Sequence, residues 1–195
     1  IATGEGGMII TQRDKLAEKI RLLRAHGITR NADIMVNESP GDWYYEQIEL
    51  GYNYRLTDIQ AALGTSQMCR LKDFINRRKL LAERYEKLLG QLPLILPPAS
   101  NTSSWHLYVI QLQDASKISR KELFTRLRLE GIGVNVHYIP IHMQPYYSRL
   151  GFKFGDFPNA EKFYSGAVSL PLFPTLKDSE QDYVAEKLTD LLDIA

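Results

Sequence analysis

The sequence predicts a mixed α/β chain in two parts joined by a long helical spine. The second part reads as a small α+β domain, with helices on one face of a mostly antiparallel sheet. Three observations predict this. Thr57 and Gln60 form a capping box that opens a helical pattern running to Leu89, before Gly90. A connector containing Pro93, Pro97 and Pro98 follows, and after it segments alternate in the order β-α-β-α-α. The composition is ordinary for a globular chain: 195 residues, 44% hydrophobic and 24% charged.

The elements follow in order. Met8-Ile9-Ile10 reads as a short strand after a glycine turn. Thr11 is placed as the cap of a helix, with Asp14 at the capping-box position and Leu16, Ile20 and Leu23 as its apolar stripe. Gly27 follows its end. Residues 28 to 50 read as irregular and aromatic-rich, a loop length that is usually functional or mobile. From Thr57 to Leu89 a continuous helix would span about 48 Å at about 1.5 Å per residue, so one break is expected, with Gly64 a possible place. Trp105 to Leu112 reads as a strand. Ser119 and Glu122 box a helix ended by Gly131, and Val134 to Tyr138 reads as a second strand. Pro158 suits a first helical turn. Ser179 and Asp182 box the last helix, with Val184, Leu188, Leu191 and Leu192 on its buried side.

Charge and cysteine content narrow the function classes. The 24 Lys+Arg balance 23 Asp+Glu, for a net charge of +1, which argues against nucleic acid as a partner. No apolar run is long enough for a membrane span. Cys69 is the one cysteine, which rules out an intrachain disulfide and suits a reducing, cytoplasmic setting. It falls in a helical pattern and is expected to be a buried, inert thiol.

Three segments carry candidate chemistry. Thr3-Gly4-Glu5-Gly6-Gly7 is a glycine turn without the Lys-Ser/Thr of a P-loop. Tyr52-Asn53-Tyr54-Arg55 precedes a capped helix start, where free N–H groups and the helix dipole favour anions. Asn53 offers an amide there and Arg55 a charged fork; a polar loop with a surface arginine is the plain alternative. His137-Tyr138-Ile139-Pro140-Ile141-His142 places two histidines five apart across a proline, so they share no helix face and no metal site is expected. His106 reads as a core or supporting histidine on an apolar strand. His26 suits a helix C-terminus.

These segments, in this order, resemble the DegT/DnrJ/EryC1/StrS family of sugar aminotransferases. TGEGGMIIT is similar to the segment after that family's cofactor-bearing lysine. LLRAHGI and GYNYRLTDIQAALG resemble its downstream signatures, and SSWHLYVIQL, GIGVNVHYIPIHMQPYY and AVSLPLFPTL its small domain. Within the family, WYYEQIELGYNYRLTDIQ and VHYIPIH look most like the pseudaminic-acid branch, the UDP-4-amino-4,6-dideoxy-N-acetyl-β-L-altrosamine transaminases. The resemblance implies a type I PLP aminotransferase fold: residues 1–70 as the tail of the large PLP-binding domain, and 71–195 as a connecting helix and the small domain. It implies a homodimer with shared active sites, pyridoxal 5'-phosphate as cofactor, glutamate as amino donor and a UDP-linked 4-keto sugar as acceptor.

By the same resemblance the cofactor lysine lies about two residues before Ile1. No catalytic residue is therefore expected within this chain, which alone should be inactive. Asn53 corresponds to the asparagine reaching the partner subunit's PLP phosphate, and Arg55 lines that shared site. His137 and Tyr138 touch the nucleotide sugar, with Asn135, Val136 and His142 beside them; Thr3 and Glu5 shape the pocket. Three alternatives stay open: a PLP-dependent sugar dehydratase of the same family, a non-enzymatic regulator, and a dimerisation module.

Overall fold

A computed structural model describes residues 1–113 and 116–193. The chain divides into two compact units, Ile1–Leu71 and Lys72–Ala195.

In the first unit, helix α1 spans Asp14–Leu23. Strands β1 (Ile28–Thr29) and β2 (Glu46–Gln47) pair antiparallel, with Ile28 opposite Gln47 and Thr29 opposite Glu46. Helix α2 spans Asp58–Cys69 behind the expected capping box: the Thr57 hydroxyl accepts from the Gln60 N–H, and the Gln60 side chain accepts from the Thr57 N–H. Two expectations change here. The cap of α1 is Arg13, and the Thr11 hydroxyl instead accepts from the Arg13 N–H, turning the chain two residues before the helix. Met8, Ile9 and Ile10 form no strand; they are exposed, and a strand without a partner leaves its backbone donors unpaired.

No described residue of α1 or α2 is fully buried. Met8, Ile9, Ile20, Leu23, Tyr52 and Tyr54 line an open groove of about 800 Å³. Cys69, expected to be buried, is exposed; its helix packs none of its faces into a core within this unit, so helical spacing alone misplaced the thiol. The expected break in the spine falls at Arg70 (φ −104°, ψ 4°), whose N–H bonds the Gln67 carbonyl, and not at Gly64, which lies inside α2.

The second unit holds the core. Helix α3 (Leu71–Leu89) enters it and buries Leu81, Ala82, Tyr85 and Leu89, one stripe at helical spacing. Strands β3 (Leu94–Ile95), β4 (Tyr108–Leu112) and β5 (Ala167–Leu170) form an antiparallel sheet with β4 central, and Tyr108 sits opposite Leu170. Helix α4 (Arg120–Leu129) is capped by Ser119 and buries Leu123 and Leu127. A 3-10 turn (Ile141–Met143) and the short α5 (Pro145–Ser148) lead to α6 (Pro158–Gly166), with Pro158 in its first turn. Helix α7 (Asp178–Asp193) closes the core with Val184, Ala185, Leu188 and Leu192. It begins two residues earlier than the Ser179–Asp182 box implied, with the Glu180 carboxylate accepting from the Lys177 N–H.

The predicted strand at 134–138 reduces to one bridge, Asn135 with Ser169. The Val136 N–H, which a ladder would need, is taken by the Asn135 side chain at 2.8 Å, and Pro140 has no N–H to offer. Strands β3 and β5 had no counterpart in the sequence reading. The strand at 105–112 begins only at Tyr108, so His106 precedes it and is exposed rather than core.

Arg78 ties the unit together. Its guanidinium donates to the carbonyls of Trp105 (3.1 Å), His106 (3.1 Å) and Leu172 (2.7 Å). Gln181, wholly buried, donates from α7 to the Leu81 carbonyl on α3 at 2.7 Å.

Candidate functional site

The predicted site residues fall into two groups, one in each unit. In the first, Asn53 and Arg55 lie on the segment entering α2, and backbone fixes that segment. The Tyr52 N–H donates to the Leu23 carbonyl (2.7 Å), the His26 N–H to the Tyr52 carbonyl (2.8 Å) and the Tyr54 N–H to the Arg24 carbonyl (2.9 Å). Asn53 thereby pairs with Ala25 in a short antiparallel bridge. Two glycines make the approach possible. A Cβ on Gly51 would lie 2.3 Å from the Gly27 nitrogen, and one on Gly27, whose φ is +71°, 2.0 Å from the Glu49 carbonyl oxygen. Tyr52 and Tyr54 stack with centroids 4.9 Å apart, on one side of the strand-like segment, which leaves Asn53 and Arg55 to the other.

Asn53 Oδ1 accepts from Arg55 Nε and Nη2 at 3.4 and 3.5 Å. Its amide nitrogen has no hydrogen bond among the described residues, and both side chains are exposed. An amide and a guanidinium at the entrance of a capped helix form a donor-only surface, which suits a phosphate. Thr3 and Glu5 belong to the same unit: the Gln60 side chain donates to the Glu5 carbonyl at 2.8 Å, and Thr3 Oγ1 donates to that carbonyl at 3.0 Å. The glycine turn is thus held against the start of α2. Gly6 packs so closely there that a Cβ would meet Thr3 Oγ1 at 2.3 Å.

In the second unit, Asn135, Val136, His137 and Tyr138 run off the edge of β5. His137 Nδ1 lies 2.8 Å from Ser169 Oγ, and Nε2 lies 3.4 Å from Asn135 Nδ2. Both contacts are satisfied by one tautomer, with Nδ1–H donating to Ser169 and Nε2 accepting. Tyr138 stands edge-on to the His137 ring at 4.6 Å and is 72% exposed. Ser169 was not singled out in the sequence; a lone hydroxyl inside the fully buried strand AVSL was its one signal.

His142 is separated from this group. It is 7% exposed, and its Nε2 lies 2.7 Å from Glu161 Oε1. Glu161 was also missed. Its Oε1 accepts from the N–H groups of Gly155 (2.8 Å) and Phe157 (3.4 Å). Burial works to raise the Glu161 carboxyl, but the His142 ring and the two backbone donors outweigh it, so the group sits below the ordinary carboxylate range. A separate apolar cavity of about 480 Å³ lies beside Gly131, Gly133, Phe173 and Tyr183 and holds none of the predicted residues.

The chain is similar to the spore coat polysaccharide biosynthesis protein SpsC of Bacillus subtilis (strain 168), at 41% identity over 198 residues, covering 98% of this chain and 51% of SpsC. It is 38% identical over 192 residues to a pleiotropic regulatory protein of Geobacillus stearothermophilus, covering 97% of this chain and 48% of that protein. Among solved structures, it superposes on Helicobacter pylori PseC, an aminotransferase involved in the biosynthesis of pseudoaminic acid, with a TM-score of 0.83 and 28% identity. That match covers 95% of this chain and 48% of that one. The chain spans about half the length of the curated relatives it matches. The likeness carries the type I fold of PLP-dependent aminotransferases. With residues 1–189 matching the family profile, the chain belongs to the DegT/DnrJ/EryC1/StrS aminotransferase family, whose cofactor is pyridoxal phosphate.

Proposed function

We propose that the whole polypeptide transfers an amino group from glutamate to a 4-keto nucleotide sugar, UDP-linked and in the pseudaminic-acid branch, for a surface glycan. It would do so in the cytoplasm, as a homodimer with shared active sites. The observation that carries this reading is the donor-only pair Asn53–Arg55, rigidly placed by backbone at the entrance of a capped helix, in a chain matched to an aminotransferase family over residues 1–189. On this reading the first unit, Ile1–Leu71, is the tail of the large domain. Its unburied α1 and α2 and its open apolar groove suit a surface that other protein covers.

Each residue then has a task. Asn53 donates its amide to the PLP phosphate of the partner subunit, and Arg55 adds charge there while holding the Asn53 carboxamide in orientation. PLP, when bound, supplies an electron sink at the reacting carbon. In the second unit, Ser169 fixes the His137 tautomer, and a sugar hydroxyl takes the place of the long 3.4 Å Asn135 amide contact as the donor to Nε2. The Tyr138 hydroxyl is exposed beside it and hydrogen-bonds the nucleotide sugar, with Asn135 and Val136 shaping the approach.

The test is direct. The full-length protein, PLP, glutamate and a UDP-linked 4-keto-6-deoxy-N-acetylhexosamine should yield 2-oxoglutarate and an amino sugar, read by mass spectrometry. Asn53→Ala should weaken PLP retention, and His137→Ala should raise KM for the sugar. Unchanged keto sugar with no 2-oxoglutarate would refute the reading, and loss of a sugar hydroxyl without amine gain would favour the dehydratase. The Geobacillus relative described as regulatory supports a second reading, a non-enzymatic regulator. Sequence-specific DNA retardation at physiological salt would favour it over the near-neutral charge that argues otherwise.

A further inference from the structure

Segment 137–142 is tied down at its two ends and exposed between them. At one end His137 bonds Ser169 at 2.8 Å. In the middle, Tyr138, Ile139 and Ile141 are 72%, 46% and 65% exposed, so they contribute little burial, and Pro140 has no N–H. At the other end stands His142, the single fully buried side chain of this described segment.

One carboxylate oxygen organises that end. Glu161 Oε1 collects the His142 ring nitrogen, the Gly155 N–H and the Phe157 N–H. Phe157 is the cap residue of α6 and has no side-chain oxygen to cap it with. Glu161, in the first turns of α6, does so from inside the helix. The His142 ring also packs on the Phe157 ring, centroids 4.8 Å apart. Apolar residues of equal volume would bury the same surface but leave the part-buried Gly155 and Phe157 N–H groups without their carboxylate partner and fix no direction.

We propose that His142 and Glu161 are positioning residues for the sugar-facing His137–Tyr138 pair, clamping the far end of its segment to the loop before α6. His142, expected from sequence to touch substrate, acts in this account through the segment it anchors. The proposal rests on the proposed function for what His137 and Tyr138 bind, and on geometry alone for the clamp.

The experiment uses the full-length protein and the variants Glu161→Ala, Glu161→Gln and His142→Leu, with two readouts. The first compares half-reactions. Glu161→Ala and His142→Leu should raise KM for the nucleotide sugar about tenfold, the loss of one well-placed hydrogen bond, and leave the glutamate half-reaction within twofold of wild type. Glu161→Gln keeps an acceptor oxygen and should restore the wild-type KM to within about threefold. The second readout is amide hydrogen exchange. Glu161→Ala should speed exchange at Met143 and Gln144, whose N–H groups bond the Pro140 and Ile141 carbonyls, and at Gly155 and Phe157, with the amides of β4 and β5 unchanged. Equal loss in both half-reactions, with faster exchange throughout the second unit, would make the pair merely structural and overturn the proposal. Wild-type kinetics in Glu161→Ala would overturn it as well. If the wild-type protein transfers no amine, the proposed function fails, and exchange alone decides the clamp: unchanged rates at Met143 and Gln144 overturn it.

Discussion

Gly51→Ala is the sharpest perturbation the first unit offers, because the three atoms nearest the new methyl are all backbone. The new methyl would sit 2.3 Å from the Gly27 nitrogen, 2.5 Å from the His26 carbonyl carbon and 2.7 Å from the Leu23 carbonyl oxygen. None of these can rotate away. Restoring ordinary contact requires the two segments to part by about 1 Å. The three bonds joining them, 2.7 to 2.9 Å long, would then stretch past about 3.5 Å and cease to be hydrogen bonds. At about 1 kcal/mol each, with about 1–3 kcal/mol of overpacking, the loss is about 4–6 kcal/mol if the strain is borne in place, and less if the loop relaxes. Asn53 rides on the displaced segment. A shift of about 1 Å in a positioning group costs up to about a hundredfold. Chemical denaturation of the full-length protein reads the first effect, and a PLP absorbance titration the second. Gly133→Ala, with nothing within 4 Å of the added methyl, is the control and should stay within about 0.5 kcal/mol of wild type. A Gly51→Ala protein as stable as wild type would refute the packing argument. Lost stability with unchanged PLP affinity would refute the assignment of Asn53 instead.

Two further predictions concern buried and folded-back polar groups. Arg78→Met should destabilise the second unit by about 2–4 kcal/mol, since it strips the carbonyls of Trp105, His106 and Leu172 of a charged donor; Arg78→Lys should recover part of this, and a denaturation midpoint unchanged in Arg78→Met would contradict the hub. Glu46 accepts from the N–H groups of Val36 (2.5 Å) and Asn37 (2.9 Å) and from the Tyr44 hydroxyl (3.0 Å), and chiefly the Val36 bond pulls its carboxyl from 4.5 down to about 2. A depressed folded-state value stabilises fully above the ordinary carboxylate range and fades as pH falls toward 2. An NMR titration should therefore place the Glu46 midpoint near 2, with faster exchange of the Val36 and Asn37 amides only below it; a midpoint near 4.5 would show the carboxylate to be free.

What the sequence disclosed depended on how far each signal reaches along the chain. The Thr57–Gln60 box, the Ser119 cap, Pro158 at the start of α6 and Gly131 after α4 are contained within four or so residues, and their geometry follows from those residues alone. Met8–Ile10 and Val134–Tyr138 have strand composition, but strand formation needs a partner, and the Asn135 side chain consumes the donor that the second would have used. Burial reaches further still. Helical spacing gave Cys69 the pattern of a core residue without saying whether another element covers that face. The candidate site divides the same way. Asn53, Arg55, His137 and Tyr138 stand in recognisable local segments, whereas Ser169 lies 32 residues from His137 and Glu161 lies 19 from His142. Such supporting partners leave no local pattern.

The two groups of candidate residues, one in each unit, are built by different means, and this bears on how each can change. Asn53 is positioned by backbone against backbone, through Gly27 and Gly51. Nearly any neighbouring side chain can vary without moving it, but a single Cβ at either glycine displaces it. His137 is positioned by side chains, through Ser169 and Asn135, with His142–Glu161 at the far end of its segment. Each of those contacts can be replaced singly without a backbone clash, changing the angle or reach of the imidazole by fractions of an ångström. A phosphate handle is common to every turnover and gains from an immovable mount. A sugar pocket must fit one stereochemistry among many and gains from an adjustable one. The proposed division of labour therefore makes a quantitative demand: substitutions at Ser169 or Glu161 should alter sugar selectivity at constant PLP affinity, and substitutions at Gly51 should do the reverse.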